Sequence, residues 1–155
     1  MPDWLTHVLF AWALWNFLSL KFNMRYRGIF LAGSLLPDIK NASMLSSVDL
    51  EPYLGIFHTP VGALITSGIL STVLFRDGVK QTHIFLALGT GSLFHLLLDL
   101  LVSSMDGRVM LFFPASFTSY SLNVFMQEDL TLLYAASLAL LVSFIAIRAR
   151  CKTKA

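Results

Sequence analysis

Residues 82–102 read THIFLALGTGSLFHLLLDLLV, from Thr82 to Val102. At ~1.5 Å of rise per residue this run crosses the ~30 Å hydrocarbon core of a bilayer. It is almost wholly apolar, yet it carries His95 and Asp99 four residues apart, a spacing that an α-helix turns onto one face. Ionisable groups at membrane depth must face protein or water and find partners, so this pair marks a functional-site hypothesis. The rest of the chain agrees with a membrane setting: of 155 residues 56% are hydrophobic and 13% charged, and the mean hydropathy is +0.72. That composition excludes an ordinary soluble domain and predicts an all-α, polytopic helical membrane protein.

No linker, low-complexity tract or internal repeat divides the sequence, so residues 1–155 are expected to form one integral membrane domain, with 148–155 as a basic tail. The net charge is +2, and the cations sit in short inter-span segments and in the tail, a pattern of membrane orientation rather than of nucleic-acid binding. Cys151, the single cysteine, excludes a disulfide framework and a cysteine metal knuckle. Met1-Pro2-Asp3 offers no positive n-region, and the first span is expected to be retained.

Read in order, Trp4 to Leu20 is a first span containing His7, with Trp4 and Trp15 as interfacial or packing aromatics. Gly28 to Leu36, closed by Pro37-Asp38, rises only ~13 Å and predicts a short or broken crossing. Lys40 to Tyr53 is polar and reads as an exposed loop. Gly55 to Phe75 is the third run, with His58 in its first turn and a small-residue stripe at Ala63, Ser67 and Ser71 suited to close helix approach; Ala135, Ala139 and Ser143 repeat the device in the last span, Asp129 to Ile147. Ser103 to Glu128 is mixed and reads as interfacial. If Gly28 to Leu36 crosses, Lys21, Arg25, Arg27, Arg76, Lys80 and the tail cations share one side, against Lys40 and Arg108 on the other. That positive-inside bias predicts about five membrane segments, with the N-terminus outside and the C-terminus cytoplasmic.

The same topology carries His7, Asp38, His58, His95 and Asp99 to the non-cytoplasmic side. Imidazoles and carboxylates suit a divalent metal, with Zn²⁺ the first choice and Mn²⁺ or Fe²⁺ alternatives. The set allows one ion with supporting carboxylates or a two-metal cluster, and Asp38 or Asp99 as the group that takes a proton from water. Each residue also has a duller role. His7 suits an interface, His58 a helix start, Asp38 a helix cap, and His95 with Asp99 an interhelical hydrogen-bonded pair. His83, at the other end of its helix, is read as structural.

Thr6-His7, Gly33-Ser34-Leu35-Leu36-Pro37-Asp38, His58-Thr59, His95 to Asp99 and Leu111 to Pro114, in this order, resemble a family of membrane-bound metal-dependent hydrolases. That family is also described as LexA-binding, inner-membrane-associated hydrolases, and its hydrolase activity is inferred from its motifs. It looks distantly similar to zinc-dependent phospholipase C. The resemblance implies a prokaryotic inner-membrane location, a metal site built from His7, Asp38, His58, His95 and Asp99, and Thr59 and Ser103 as supporting or substrate contacts. Two positions depart from the family pattern: Lys40 stands where members often carry a second acidic residue, and no basic residue closely precedes His58. The expected function is hydrolysis of an ester or phosphoester of a lipid or lipid-linked substrate at the non-cytoplasmic interface. The rivals are a non-enzymatic interaction subunit with a structural or degenerate metal site, and a metal carrier. Oligomeric state is not legible.

Overall fold

The computed structural model describes residues 4–18, 26–38, 55–75, 79–101, 109–124 and 130–153. They form α1 (Trp4–Leu18), α2 (Arg27–Gly33), α3 (Pro60–Val73), α4 (Gln81–Leu101) and α5 (Leu130–Thr153), with 3-10 turns at Leu36–Asp38 and Gly55–His58. Among the described residues there is no strand, only an isolated antiparallel bridge between Val109 and Tyr120. The expected loop from Lys40 to Tyr53, and Ser103, lie outside the described residues.

The axis of the fold is α4. Its apolar run has no proline, and it is the one helix among the described residues both long and apolar enough to cross a membrane. On one side α2 packs against it backbone to backbone. A Cβ added at Gly91 would collide with the Phe30 carbonyl oxygen, and one at Gly33 with the Leu88 carbonyl oxygen. Only hydrogen at both positions lets the helices approach so closely, and Ser92 then donates its hydroxyl to the Gly33 carbonyl at 2.9 Å. On the other side α3 presents the small-residue stripe. Ala63, Ser67 and Ser71 are all buried, while Val61, Leu64, Ile65 and Ile69 face outward.

The third run is shorter than its composition suggested. Its helix starts at Pro60 because Thr59 is the N-cap, accepting from Gly62 N at 2.9 Å, and the preceding Gly55–His58 forms a separate turn. Fourteen helical residues rise ~21 Å, less than a bilayer core. In the last helix the order reverses: α5 continues to Thr153, through the basic tail, since Arg and Ala there are good helix formers and no glycine or proline stops it. It packs on α1, where Ser143 donates to the Ala13 carbonyl at 3.3 Å. Of the expected stripe Ser143 is buried, Ala139 half-buried and Ala135 exposed, and Ala136 is buried beside it.

Trp15 is buried against Phe30 in a core shared by α1, α2 and α4, which settles it as a packing aromatic. Beyond α4 the segment 109–124 folds back over the helix end. Leu122 N donates to Leu100 O at 2.7 Å and Val124 N to Leu101 O at 3.0 Å, satisfying carbonyls that a helix C-terminus leaves unpaired. Phe112, Phe117, Leu122 and Val124 on this segment are exposed.

Candidate metal centre

Four separate elements deliver the site. The last turns of α4 present His95 and Asp99 on one face, α1 brings His7, and the 3-10 turns bring Asp38 and His58. All five residues are buried, between 0% and 6% exposed. Asp99 is the hub. Its Oδ1 lies 3.4 Å from His7 Nε2, and its Oδ2 lies 3.1 Å from His95 Nε2 and 3.5 Å from His58 Nε2. Asp38 Oδ1 is 3.5 Å from His58 Nε2 and 3.8 Å from His95 Nε2. The His7 and His95 rings stack at 3.9 Å between centroids, and the ring of His58 stands edge-on to that of His95 at 5.8 Å.

The tautomer of His95 follows from its surroundings. Its Nδ1 lies 2.7 Å from the Ser34 carbonyl, which can only accept, so Nδ1 carries the proton. In the neutral ring Nε2 is then a bare lone pair, and it faces two carboxylates. This arrangement repels unless a cation or a second proton lies between the groups. Hydrogen bonds do not settle the other rings either. Among the described residues neither ring nitrogen of His7 has a hydrogen-bond partner, and His58 Nδ1 and His95 Nε2 also lack one. Leaving such buried groups unmet costs about 1–3 kcal/mol each.

A divalent cation fits this donor set. Tetrahedral zinc with bonds of ~2.0–2.1 Å has ligand-to-ligand edges of about 3.3 Å, and the nitrogen-to-oxygen separations here run from 3.1 to 3.8 Å. Two overlapping groups meet the spacing for a metal, His7 with His95 and Asp99, and Asp38 with His58 and His95. They share His95, whose one available nitrogen serves a single ion. Two carboxylates among neutral imidazoles also leave a formal charge that a divalent cation would cancel.

The supports are local. Ser34 follows the C-terminus of α2, where the Gly33–Gly91 approach fixes its carbonyl against His95. Thr59, which the motif assigned to supporting or substrate contact, is 0% exposed. Its hydroxyl donates to Ile56 O at 2.7 Å while it caps α3, so it fixes the turn that ends in His58. Ser103 lies outside the described residues. His83 sits away from the centre, exposed and stacked on Tyr26. The sequence reading missed the Ser34 carbonyl and Ser92; the small residues of Gly33-Ser34 and of Gly89 to Ser92 were the available signal.

A search of curated proteins and one of solved structures find no match for this chain. A family model does match, over residues 1–154, nearly the whole sequence and every residue of the centre. The chain therefore belongs to the YdjM inner membrane protein family and is a membrane protein.

Proposed function

We propose that this protein is a metal-dependent hydrolase acting on an ester or phosphoester of a lipid or lipid-linked substrate at the non-cytoplasmic face of the inner membrane. The observation that carries the reading is the convergence of His7, His58 and His95 on Asp38 and Asp99, with four buried imidazole nitrogens that lack a hydrogen-bond partner among the described residues. The topology that goes with it has five membrane segments, N-terminus outside and C-terminus in the cytoplasm. The distribution of cations supports it, and it puts the centre toward the non-cytoplasmic face. The distant likeness to zinc-dependent phospholipase C rests on motif order alone and bears on the reaction class.

His7, His95 and Asp99 would hold the cation, with His58 beside Asp99 as a further ligand, Zn²⁺ first and Mn²⁺ or Fe²⁺ next. When bound, such an ion supplies Lewis acidity toward a phosphoryl or carbonyl oxygen and brings the pKa of water toward ~7. The residues do the rest. Both oxygens of Asp99 face imidazoles, whereas Asp38 Oδ1 stands farther from His95, at 3.8 Å against 3.1 Å. Asp38 is therefore the carboxylate assigned to take the proton of the attacking water. Ser34 keeps Nε2 of His95 aimed at the centre by holding the proton on Nδ1. A substrate carried in the bilayer reaches such a site without leaving lipid.

The experiment is reconstitution of zinc-loaded protein into vesicles of mixed phospholipids, with products followed by mass spectrometry. Turnover in wild type, lost in Asp38→Asn while metal is retained, is the expected result. The burial of all five ligands favours a second reading, a closed structural metal site in an interaction subunit. Metal without turnover on any lipid ester or phosphoester would select it.

A further inference from the structure

Apart from the metal centre, the structure holds a cavity of about 440 Å³ between α1, α2 and α4. Its walls include Trp15, Phe30, Leu86 and Phe94, and its rim includes Tyr26 and His83. The volume lies within the ~300–1,000 Å³ range of small-molecule sites, and the walls are hydrocarbon and aromatic ring. Tyr26 and His83 sit together at one end, and Thr90 lies further along α4. Tyr26 and His83 stack there at 5.5 Å between ring centroids, 18° from parallel. Arg27 follows Tyr26 directly, and Lys80 is one turn before His83, accepting from its backbone nitrogen at 2.9 Å. His83 stands twelve residues before His95 in α4, a rise of about 18 Å, so this rim and the metal centre lie toward opposite ends of the helix.

We propose that this cavity is a binding site for one anionic phospholipid, with an acyl chain between Trp15, Phe30 and Phe94 and the phosphate at the basic rim. The chemistry is that of an amphiphile. Apolar walls at membrane depth take the chain, and the amphipathic pair Tyr26–His83 marks the boundary where hydrocarbon gives way to headgroup. Arg27, Lys80 and the N-terminal end of α4 supply positive potential at that boundary, which selects an anionic headgroup over a zwitterionic one. On the topology proposed above this is the cytoplasmic leaflet. The site does not depend on the metal centre or on hydrolysis.

Native mass spectrometry of the detergent-purified full chain, given phosphatidylglycerol and phosphatidylcholine with identical chains, tests the proposal. One phosphatidylglycerol is expected to be retained about fivefold or more over phosphatidylcholine, since each basic residue near the rim adds a factor on the order of five. Leu86→Trp fills the cavity from an exposed position and should abolish retention. Thr90→Trp, which reaches the same cavity one turn further on, serves if Leu86→Trp melts early. Lys80→Gln should lower the headgroup preference about fivefold and leave chain binding. Equal retention of the two lipids by wild type would overturn the proposal. So would undiminished phosphatidylglycerol retention in a Trp variant that melts like wild type.

Discussion

Gly91→Ala is the sharpest perturbation of the scaffold that aims the metal ligands. The added Cβ would overlap the Phe30 carbonyl oxygen and lie 2.9 Å from Ser34 N. Ordinary contact needs ~3.5 Å, so α2 must retreat by at least about 0.6 Å at Ser34. Ser34 O now accepts from His95 Nδ1 at 2.7 Å; the same displacement along that bond stretches it to about 3.3 Å, beyond the useful range. Losing a buried hydrogen bond costs about 1–3 kcal/mol and overpacking about 1–3 kcal/mol, together roughly 2–6 kcal/mol of stability. Zinc affinity should fall ~10–100-fold, the usual effect of removing a group that orients a histidine ligand. Thermal melting in detergent and zinc titration by calorimetry measure both. Gly28→Ala is the control. Nothing lies within 4 Å of a Cβ there, and alanine gains about 0.5–1 kcal/mol in a helix. Unchanged zinc affinity and melting in Gly91→Ala would refute the idea that the α2–α4 approach positions His95.

Other substitutions separate the roles. Thr59→Ala should cost about 1 kcal/mol through the lost cap of α3, with a smaller loss of zinc affinity, both restored by Thr59→Ser; an unaltered melt contradicts the capping role. Asp99→Asn should weaken zinc binding more than Asp38→Asn does, because Asp99 faces three imidazoles and Asp38 two; calorimetric titration of both reads the order directly. Ser92→Ala removes the hydroxyl that donates to the Gly33 carbonyl and should cost about 0.5–1.5 kcal/mol in a melt. His83→Ala, far from the centre, should leave metal content unchanged.

The sequence discloses α4 almost to the residue, since nothing in Thr82 to Val102 competes with a helix: the structure has Gln81–Leu101. The stripe Ala63, Ser67, Ser71 is equally legible, because a four-residue period of small side chains can only serve close packing on one helix face. Boundaries set by turns are less so. The start of α3 at Pro60 depends on Thr59 folding its side chain onto Gly62, and Gly28 to Leu36 splits into α2 and a 3-10 turn that delivers Asp38. Hydropathy registers neither event. In the centre, the type and order of His7, Asp38, His58, His95 and Asp99 singled out five candidate donors, and the structure brings all five together. What orients them is a backbone carbonyl, at Ser34, and hydrogen in place of side chains at Gly33 and Gly91. Neither carries a chemical signature in a sequence.

Metal content of the detergent-purified protein by elemental analysis, in wild type and in His95→Ala and Asp99→Ala, tests the central claim most directly. The account predicts zinc, manganese or iron near stoichiometric in wild type and its loss in both variants, while both still run as folded protein. Wild type without metal after reconstitution with each ion would contradict it and leave His95 and Asp99 as a buried polar pair between helices.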